Sequence, residues 1–165
     1  MTEKILVTYA SRFGATAGVA EAIGKTLAEL GAQVDVLPMK NVTDLSPYQA
    51  VVAGSAINGG AWLPEAMQFL QAHQAELRRK PFAAFLVCMT LTMKNGEQYR
   101  SHVSTWLEPV RALARPDVDH PAFGLTVARD QHIGNFWFWV LRIFARMRLS
   151  DSSIFTRIPL DLTCR

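Results

Sequence analysis

Apolar residues recur along this chain in two alternating patterns. Five short apolar or alternating runs predict β-strands, over residues 5–7, 33–38, 50–55, 82–89 and 121–128. Three longer segments carry apolar residues at three- and four-residue spacing and predict amphipathic helices, over residues 15–30, 64–80 and 97–113. Strands that alternate with helices indicate an α/β fold, a parallel sheet covered by helices on both faces. At 165 residues, one such domain accounts for residues 1–165.

The segment between the first strand and the first helix has the composition of an anion-binding loop. Ser11 and Thr16 can donate hydroxyl hydrogen bonds, and Gly14 lets the backbone approach a ligand closely. The first N–H groups of a helix lack internal partners, and the helix dipole favours negative charge there. The dinucleotide motif G-x-G-x-x-G is missing, and Gly24-Lys25-Thr26 lies within the predicted helix without the upstream glycine of a P-loop. The loop therefore predicts a phosphate site of another kind.

That loop resembles the phosphate loop of the flavodoxin-like family. Its residues match the family pattern (S/T)-x-x-G-x-T at all three defined positions. The resemblance implies a doubly wound five-stranded parallel sheet in the order 2-1-3-4-5, with FMN as cofactor. The residues expected to hold the FMN phosphate are Ser11, Arg12, Phe13, Gly14, Ala15 and Thr16. The alternative is an ordinary strand–helix turn with a threonine near the helix cap.

The loops after the third and fourth predicted strands are expected to flank the flavin ring, because ligands of such sheets settle at the carboxyl ends of the strands. The residues expected there are Ser55, Ala56, Ile57 and Asn58 on one side and Met89, Thr90 and Leu91 on the other. Trp62 either stacks on the ring or anchors the next helix to the core. No aromatic residue directly follows the fourth strand, and Cys88 at its end is expected to pack as a small hydrophobic residue.

Within the superfamily the chain is most similar to the menaquinone-dependent protoporphyrinogen oxidase group. Residues 6–16 fit that group's pattern L-x-x-(Y/F)-x-(S/T)-x-x-G-x-T, and residues 54–57 fit its G-(A/S)-(S/A)-I loop. The group also has an aromatic, basic segment after the fifth strand, to which residues 136–148 correspond. It has a basic and then an aromatic residue where this chain has Asn58 and Gly59. The chain also ends where the group continues into a final long helix. The resemblance therefore implies a flavin site more directly than it implies a porphyrinogen substrate.

The segment from Asn135 to Leu149 is the most apolar helix candidate of the chain. On a helical wheel its apolar residues form one broad arc, with Arg142 and Arg146 on the opposite side. The arc contains Phe136, Trp137, Val140, Leu141, Ile143, Phe144 and Met147. Such a helix either covers the sheet as part of the core or contacts a membrane surface or a dimer partner.

Composition and charge indicate whether the chain is ordered, where it is located and what kind of partner it contacts. Half of the residues are apolar and 19% are charged, a composition that argues against a disordered chain. With only two cysteines and neither a signal sequence nor a membrane span, a cytoplasmic location is expected, with peripheral contact at the inner face of the membrane as an alternative. The net charge of +3 arises in residues 129–165, which hold six Arg and three Asp, whereas the eleven basic and eleven acidic residues before them cancel. This placement favours a local contact over nucleic-acid binding.

These observations favour an FMN-dependent oxidoreductase similar to protoporphyrinogen oxidases, one that oxidises a small-molecule substrate and passes electrons to a quinone. Its catalytic residues are not assigned, since the cofactor carries the chemistry. No metal site is expected, because the four histidines are isolated in the sequence. The alternatives are a flavodoxin-type electron carrier and an interaction module without a cofactor. A sequence pI near 9.1 disfavours the carrier, because carrier flavodoxins are usually acidic.

Overall fold

The computed structural model of the chain describes residues 4–90, 96–114 and 123–128. Within them one sheet contains five parallel strands in the order β2-β1-β3-β5-β6. The strands are β1 (Lys4–Ala10), β2 (Gln33–Pro38), β3 (Ala50–Asn58), β5 (Phe82–Cys88) and β6 (Phe123–Ala128). A further strand of two residues, β4 (Ala61–Trp62), pairs antiparallel with the end of β3. The predicted order 2-1-3-4-5 is confirmed for the parallel strands, and β4 is an addition that the sequence pattern does not predict.

Helices cover both faces of the sheet, as predicted. They are α1 (Ala15–Glu29), α2 (Pro64–Ala72), α3 (Gln74–Leu77), α4 (Arg100–Thr105) and α5 (Glu108–Ala114), with short 3-10 turns at Met39–Asn41 and Gly96–Tyr99. The predicted helix 64–80 is interrupted at His73, and the predicted helix 97–113 is interrupted before α5. Pro109 explains the second break, because proline has no N–H for a preceding turn and is tolerated within the first turn of a helix.

Two apolar layers hold these elements together. On one face, Ile23 and Leu27 of α1 pack on Val7, Val52 and Phe85 of the central strands. On the other face, the remaining helices pack on the alternate residues of the same strands, for example Leu6, Val51 and Leu86. Strand β5 is buried at all seven positions, as expected for a central strand of a sheet covered on both sides.

Two glycines allow close approach inside the layer formed by α1. A Cβ atom on Gly24 would lie 2.4 Å from Cγ2 of Val36, so this glycine lets α1 pack directly on β2. A Cβ atom on Gly54 would lie 1.9 Å from Cζ of Phe85, whose ring occupies that space. Within the Gly24-Lys25-Thr26 triplet, Gly24 therefore has a packing role, and the triplet lies inside α1 rather than in a phosphate loop.

The predicted helix over residues 135–149 and the predicted site residue Leu91 lie outside the described residues, as do the first two residues of the predicted fifth strand.

Candidate functional site

Three connections leave the sheet at one edge and bring the predicted site segments together. Ala10 at the end of β1 is paired with Ser55 of β3, and Ala56 is paired with Val87 near the end of β5. Because the strands are parallel, the loops after β1, β3 and β5 lie side by side at their carboxyl ends. This arrangement is the one expected for a ligand site in an open α/β sheet.

The loop after β1 presents an uncapped helix start. Gly14 is the N-cap residue of α1, has a left-handed φ of 87°, and provides no side-chain cap. Its own N–H donates to Oγ of Ser11 at 3.1 Å, which fixes the loop. The first turn of α1 contains no acidic residue, so the unpaired N–H groups there remain available to an anion. No atom lies within 4 Å of where a Cβ of Gly14 would be, which leaves the backbone accessible.

The hydroxyl of Thr16 is the clearest indication of a missing partner. Thr16 is fully buried in the first turn of α1, and its Oγ1 has no hydrogen-bond partner among the described residues. A buried hydroxyl without a partner is energetically costly, so such groups are usually bonded. A phosphate at the start of α1 would supply an acceptor. The donor set of this loop therefore fits the phosphate of FMN.

The remaining predicted residues of the loop after β1 are exposed. Arg12, Phe13 and Ala15 all face solvent, and the Phe13 side chain is 97% exposed. Arg12 is the one charged side chain that the structure describes in the three loops. A cation beside an open helix start adds to its attraction for phosphate.

The connection after β3 is a tight hairpin. Ile57 pairs with Trp62 and Asn58 with Ala61, so Gly59 and Gly60 form a two-residue turn. Their φ values of 60° and 78° are those of a type I′ turn, which glycine adopts without strain. Asn58 is exposed, whereas Ile57 is half-buried, as is Ala56 before it. The hairpin thus places backbone, with little side-chain bulk at its tip, beside the expected ring position.

Ser55 and Trp62 hold the base of this hairpin. Oγ of Ser55 accepts the N–H of Leu63 at 3.0 Å and donates to the carbonyl of Ala56 at 2.8 Å, so this hydroxyl is bonded within the protein. Trp62 is buried in the core formed with the helices on that face. Of the two interpretations of Trp62, the structure supports the anchor of the next helix over a stacking ring.

The end of β5 supplies the other side of the expected ring position. Met89 is 63% exposed directly after the strand, and Thr90 is half-buried. Cys88 is buried in the core, which agrees with the expected role as a small hydrophobic residue.

Two aromatic residues near these loops are not predicted as site residues by the sequence pattern. Tyr99, 41% exposed, lies just before α4, and helices of this fold begin at the carboxyl edge of the sheet. The indole of Trp106 lies against the hairpin turn, since a Cβ on Gly60 would be 3.5 Å from its Nε1. The absence of an aromatic residue directly after β5 therefore does not mean that the region lacks aromatic side chains.

A polar cluster lies at the opposite edge, where the strands begin. Asp35 accepts a hydrogen bond from the Tyr48 hydroxyl at 2.8 Å and pairs with Lys4 at 2.8 Å. The bond from Lys4, and then that from Tyr48, lower the pKa of Asp35. Burial, and then the bond to Asp35, raise the pKa of Tyr48 to about 12. This cluster ties β1, β2 and the start of β3 together, away from the site.

Within the described residues, no group of histidine, cysteine and carboxylate side chains is arranged to bind a metal ion. The helices described there are too short or too polar to cross a membrane.

Comparison with known families identifies the fold family of the chain. The flavodoxin domain model matches residues 6–126, which include all three loops and nearly all of the described sheet. The chain belongs to the flavodoxin domain family. FMN, the cofactor predicted from the loop after β1, is confirmed by this membership. A flavodoxin domain of this kind is an FMN-binding electron carrier or oxidoreductase.

Solved structures share the fold at low sequence identity. A flavodoxin from the domain Archaea superposes with a TM-score of 0.63 at 20% identity, over 87% of this chain and 98% of its own. Flavodoxin 2 from Bacillus cereus superposes with a TM-score of 0.61 at 22% identity, over 87% of this chain and 99% of its own. Rubredoxin oxygen:oxidoreductase from Desulfovibrio gigas superposes with a TM-score of 0.61 at 18% identity, over 89% of this chain. The chain spans only 36% of the length of that protein. A search of curated proteins finds no significant match. None of these matches bears on the likeness to protoporphyrinogen oxidases, which stays a prediction.

Proposed function

We propose that this flavodoxin-domain protein is an oxidoreductase that takes electrons from a small reduced substrate and delivers them to a quinone. The proposed substrate class is a porphyrinogen, as the resemblance of residues 6–16 and 54–57 to the protoporphyrinogen oxidase group implies. FMN, when bound, supplies the electron-accepting chemistry, and the protein supplies binding and access.

The observation that carries the cofactor part of this proposal is the buried, unpartnered hydroxyl of Thr16 beneath the open start of α1. The chain's own groups would hold the phosphate there through the Thr16 hydroxyl and the unpaired backbone N–H groups after Gly14. The hairpin after β3 and the segment after Cys88 would position the ring and exclude water from its faces. No protein side chain is assigned to proton transfer.

The apolar character of the site edge supports a quinone as electron acceptor. The exposed large apolar residues of the described chain are Phe13, Met89 and Tyr99, and all three belong to connections at the carboxyl edge. Large exposed apolar side chains at the end of the sheet where a ligand is expected favour contact with an apolar partner there. A quinone offers an apolar ring and an isoprenoid chain, and both are compatible with such an edge.

The second candidate is a one-electron carrier that docks a redox protein. The fold shared with flavodoxins favours it, but the charge at the site edge does not. The sequence of the three connections contains Arg12 and Lys94 against a single carboxylate, Glu97. The sequence of these connections is therefore slightly basic and lacks the acidic residues expected of carrier flavodoxins.

An experiment separates these functions. FMN is added to the purified full chain, the excess is removed, and the retained visible flavin absorbance is recorded. The loaded protein is then mixed anaerobically with protoporphyrinogen, and porphyrin fluorescence is followed with and without a water-soluble quinone. Porphyrin formation that continues only with the quinone supports the proposal. Retained flavin without porphyrin formation supports the carrier, and a protein that neither retains nor quenches FMN supports a contact module.

For location, we propose a cytoplasmic protein that contacts the membrane surface through residues 135–149, which hold five aromatic residues and three arginines. Flotation with anionic phosphatidylglycerol vesicles tests this contact. Replacing Arg142 and Arg146 by glutamine should release the protein, whereas an unchanged bound fraction at low salt would favour a core or dimer role for the segment.

A further inference from the structure

The tip of the hairpin after β3 is held by a residue from a distant part of the chain. A Cβ on Gly60 would lie 3.5 Å from Nε1 and 3.7 Å from Cε2 of Trp106, which is ordinary van der Waals contact. The indole edge therefore lies close to the backbone of the turn. Trp106 is half-buried and packs at the margin of the apolar layer on the face of the sheet opposite α1.

The hairpin needs such support because it is too small to be stable alone. It has two paired positions and a turn of two glycines, which lose more conformational freedom on ordering than other residues. The Ser55 hydroxyl and the buried Trp62, seven residues apart in sequence, fix its base. At the turn itself, the neighbouring side chain is that of Trp106, which lies beside Gly60.

Trp106 also belongs to the element that follows the other ring-flanking loop. The chain runs from Met89 through Tyr99 into α4, and Trp106 comes directly after this helix. His102, one turn earlier, meets the indole edge-on, with ring centroids 5.4 Å apart and planes at 75°. The indole thus lies beside both α4 and the hairpin turn.

We infer that Trp106 is a positioning residue that holds the Gly59–Gly60 turn in place at the carboxyl end of β3. It thereby shapes the ring half of the FMN site and leaves the phosphate half unaffected. This inference rests on the proposed function only in taking the flavin ring to lie between these loops. The phosphate half is built from residues 11–16, which are close in sequence and far from Trp106 along the chain.

The test compares Trp106→Ala and Trp106→Phe with Leu113→Ala. Leu113 is a suitable control because it is also half-buried at the margin of the same core but lies in α5, away from the hairpin. Riboflavin, which has the ring without the phosphate, and inorganic phosphate are titrated separately into the cofactor-free protein. Amide hydrogen exchange at Gly59, Gly60 and Ala61 is measured on the same samples.

Trp106→Ala should weaken riboflavin binding about ten-fold, since the freed turn must be ordered again on binding, and should leave phosphate binding within about two-fold. Exchange at the turn should accelerate about ten-fold or more in the same variant. Trp106→Phe should recover part of both effects, and Leu113→Ala should show neither. Equal losses of riboflavin and phosphate binding, or unchanged exchange at the turn, would overturn the inference.

The two hypotheses fail separately. A wild-type protein that binds neither FMN nor riboflavin would contradict the proposed flavin function. The role of Trp106 is then decided by the exchange rates alone, which require no cofactor.

Discussion

Replacing Thr16 by valine should move stability and cofactor binding in opposite directions. The substitution exchanges one hydroxyl for a methyl group of similar size and keeps the β-branched shape within α1. Thr16 is fully buried and its Oγ1 has no partner among the described residues, so the cofactor-free protein loses no hydrogen bond. A buried unpaired hydroxyl costs about 1–3 kcal/mol, and its removal should stabilise the cofactor-free protein by about 1 kcal/mol or more.

Thr16→Val should weaken FMN binding, although it stabilises the cofactor-free protein. A hydrogen bond to a charged group contributes about 1.5–3 kcal/mol, which corresponds to a dissociation constant raised about 10- to 150-fold in Thr16→Val. Riboflavin lacks the phosphate, so its affinity should change by less than about two-fold. Thr16→Ser keeps the hydroxyl and should bind FMN within about five-fold of the wild type.

The assays are urea unfolding of the cofactor-free protein and fluorescence titration with both flavins. Thr26→Val is the matched control, because Thr26 is a buried threonine of the same helix far from its start. It should leave FMN affinity unchanged. If Thr16→Val destabilises the cofactor-free protein, the hydroxyl has a structural partner and the argument fails. If FMN and riboflavin weaken equally, the hydroxyl does not act on the phosphate.

Three further predictions concern packing and titration. Gly54→Ala should destabilise the protein by about 2 kcal/mol or more in urea unfolding, since its Cβ would lie 1.9 Å from the Phe85 ring. Adding Phe85→Leu should recover part of the loss, and a loss below about 0.5 kcal/mol would contradict the packing. Gly24→Ala should also destabilise the protein, because its Cβ would lie 2.4 Å from Val36. Gly18→Ala in the same helix, where a Cβ would have no atom within 4 Å, should stabilise the protein by about 0.5–1 kcal/mol. Changes of the same sign in both variants would contradict this prediction. The raised pKa of Tyr48, about 12, means that its neutral phenol stabilises the fold below its ordinary pKa of about 10, and that this contribution is lost as pH rises through about 12. Tyr48→Phe should remove the last step of the phenolate absorbance titration, and a step that persists would show that another group causes it.

The features that sequence predicts best are those built from neighbouring residues. The bond from the Gly14 N–H to Ser11 spans three residues, and α1 begins directly after it, so spacing alone reveals the loop. The central strands are equally accessible to sequence, because strands buried on both faces read as continuous apolar runs. The length of these strands is harder to predict from sequence. Strand β1 extends to Ala10 because it pairs with a strand on each side, and its end lies beyond the apolar residues 5–7.

Some missed features had local signals. The pair Gly59-Gly60 between Asn58 and Ala61 is a hairpin turn signal, but a strand of two residues has no periodicity to detect. Pro109 likewise indicates the break before α5, although the apolar spacing continues across it. In both cases the turn chemistry was more informative than the hydrophobic pattern.

The ring half of the site differs from the phosphate half in what builds it. The phosphate half depends on one short loop, whereas the ring half depends on residues that are far apart in sequence and close in the fold, such as Gly60 and Trp106. Sequence patterns report the first and are silent on the second. The same division has a functional consequence, because a substitution in one half need not disturb the other. Affinity for FMN can therefore be set largely at the start of α1, while the exposure and surroundings of the ring vary with the hairpin and with α4. Family membership accordingly establishes the cofactor, and the reaction partner must be sought among the residues that surround the ring.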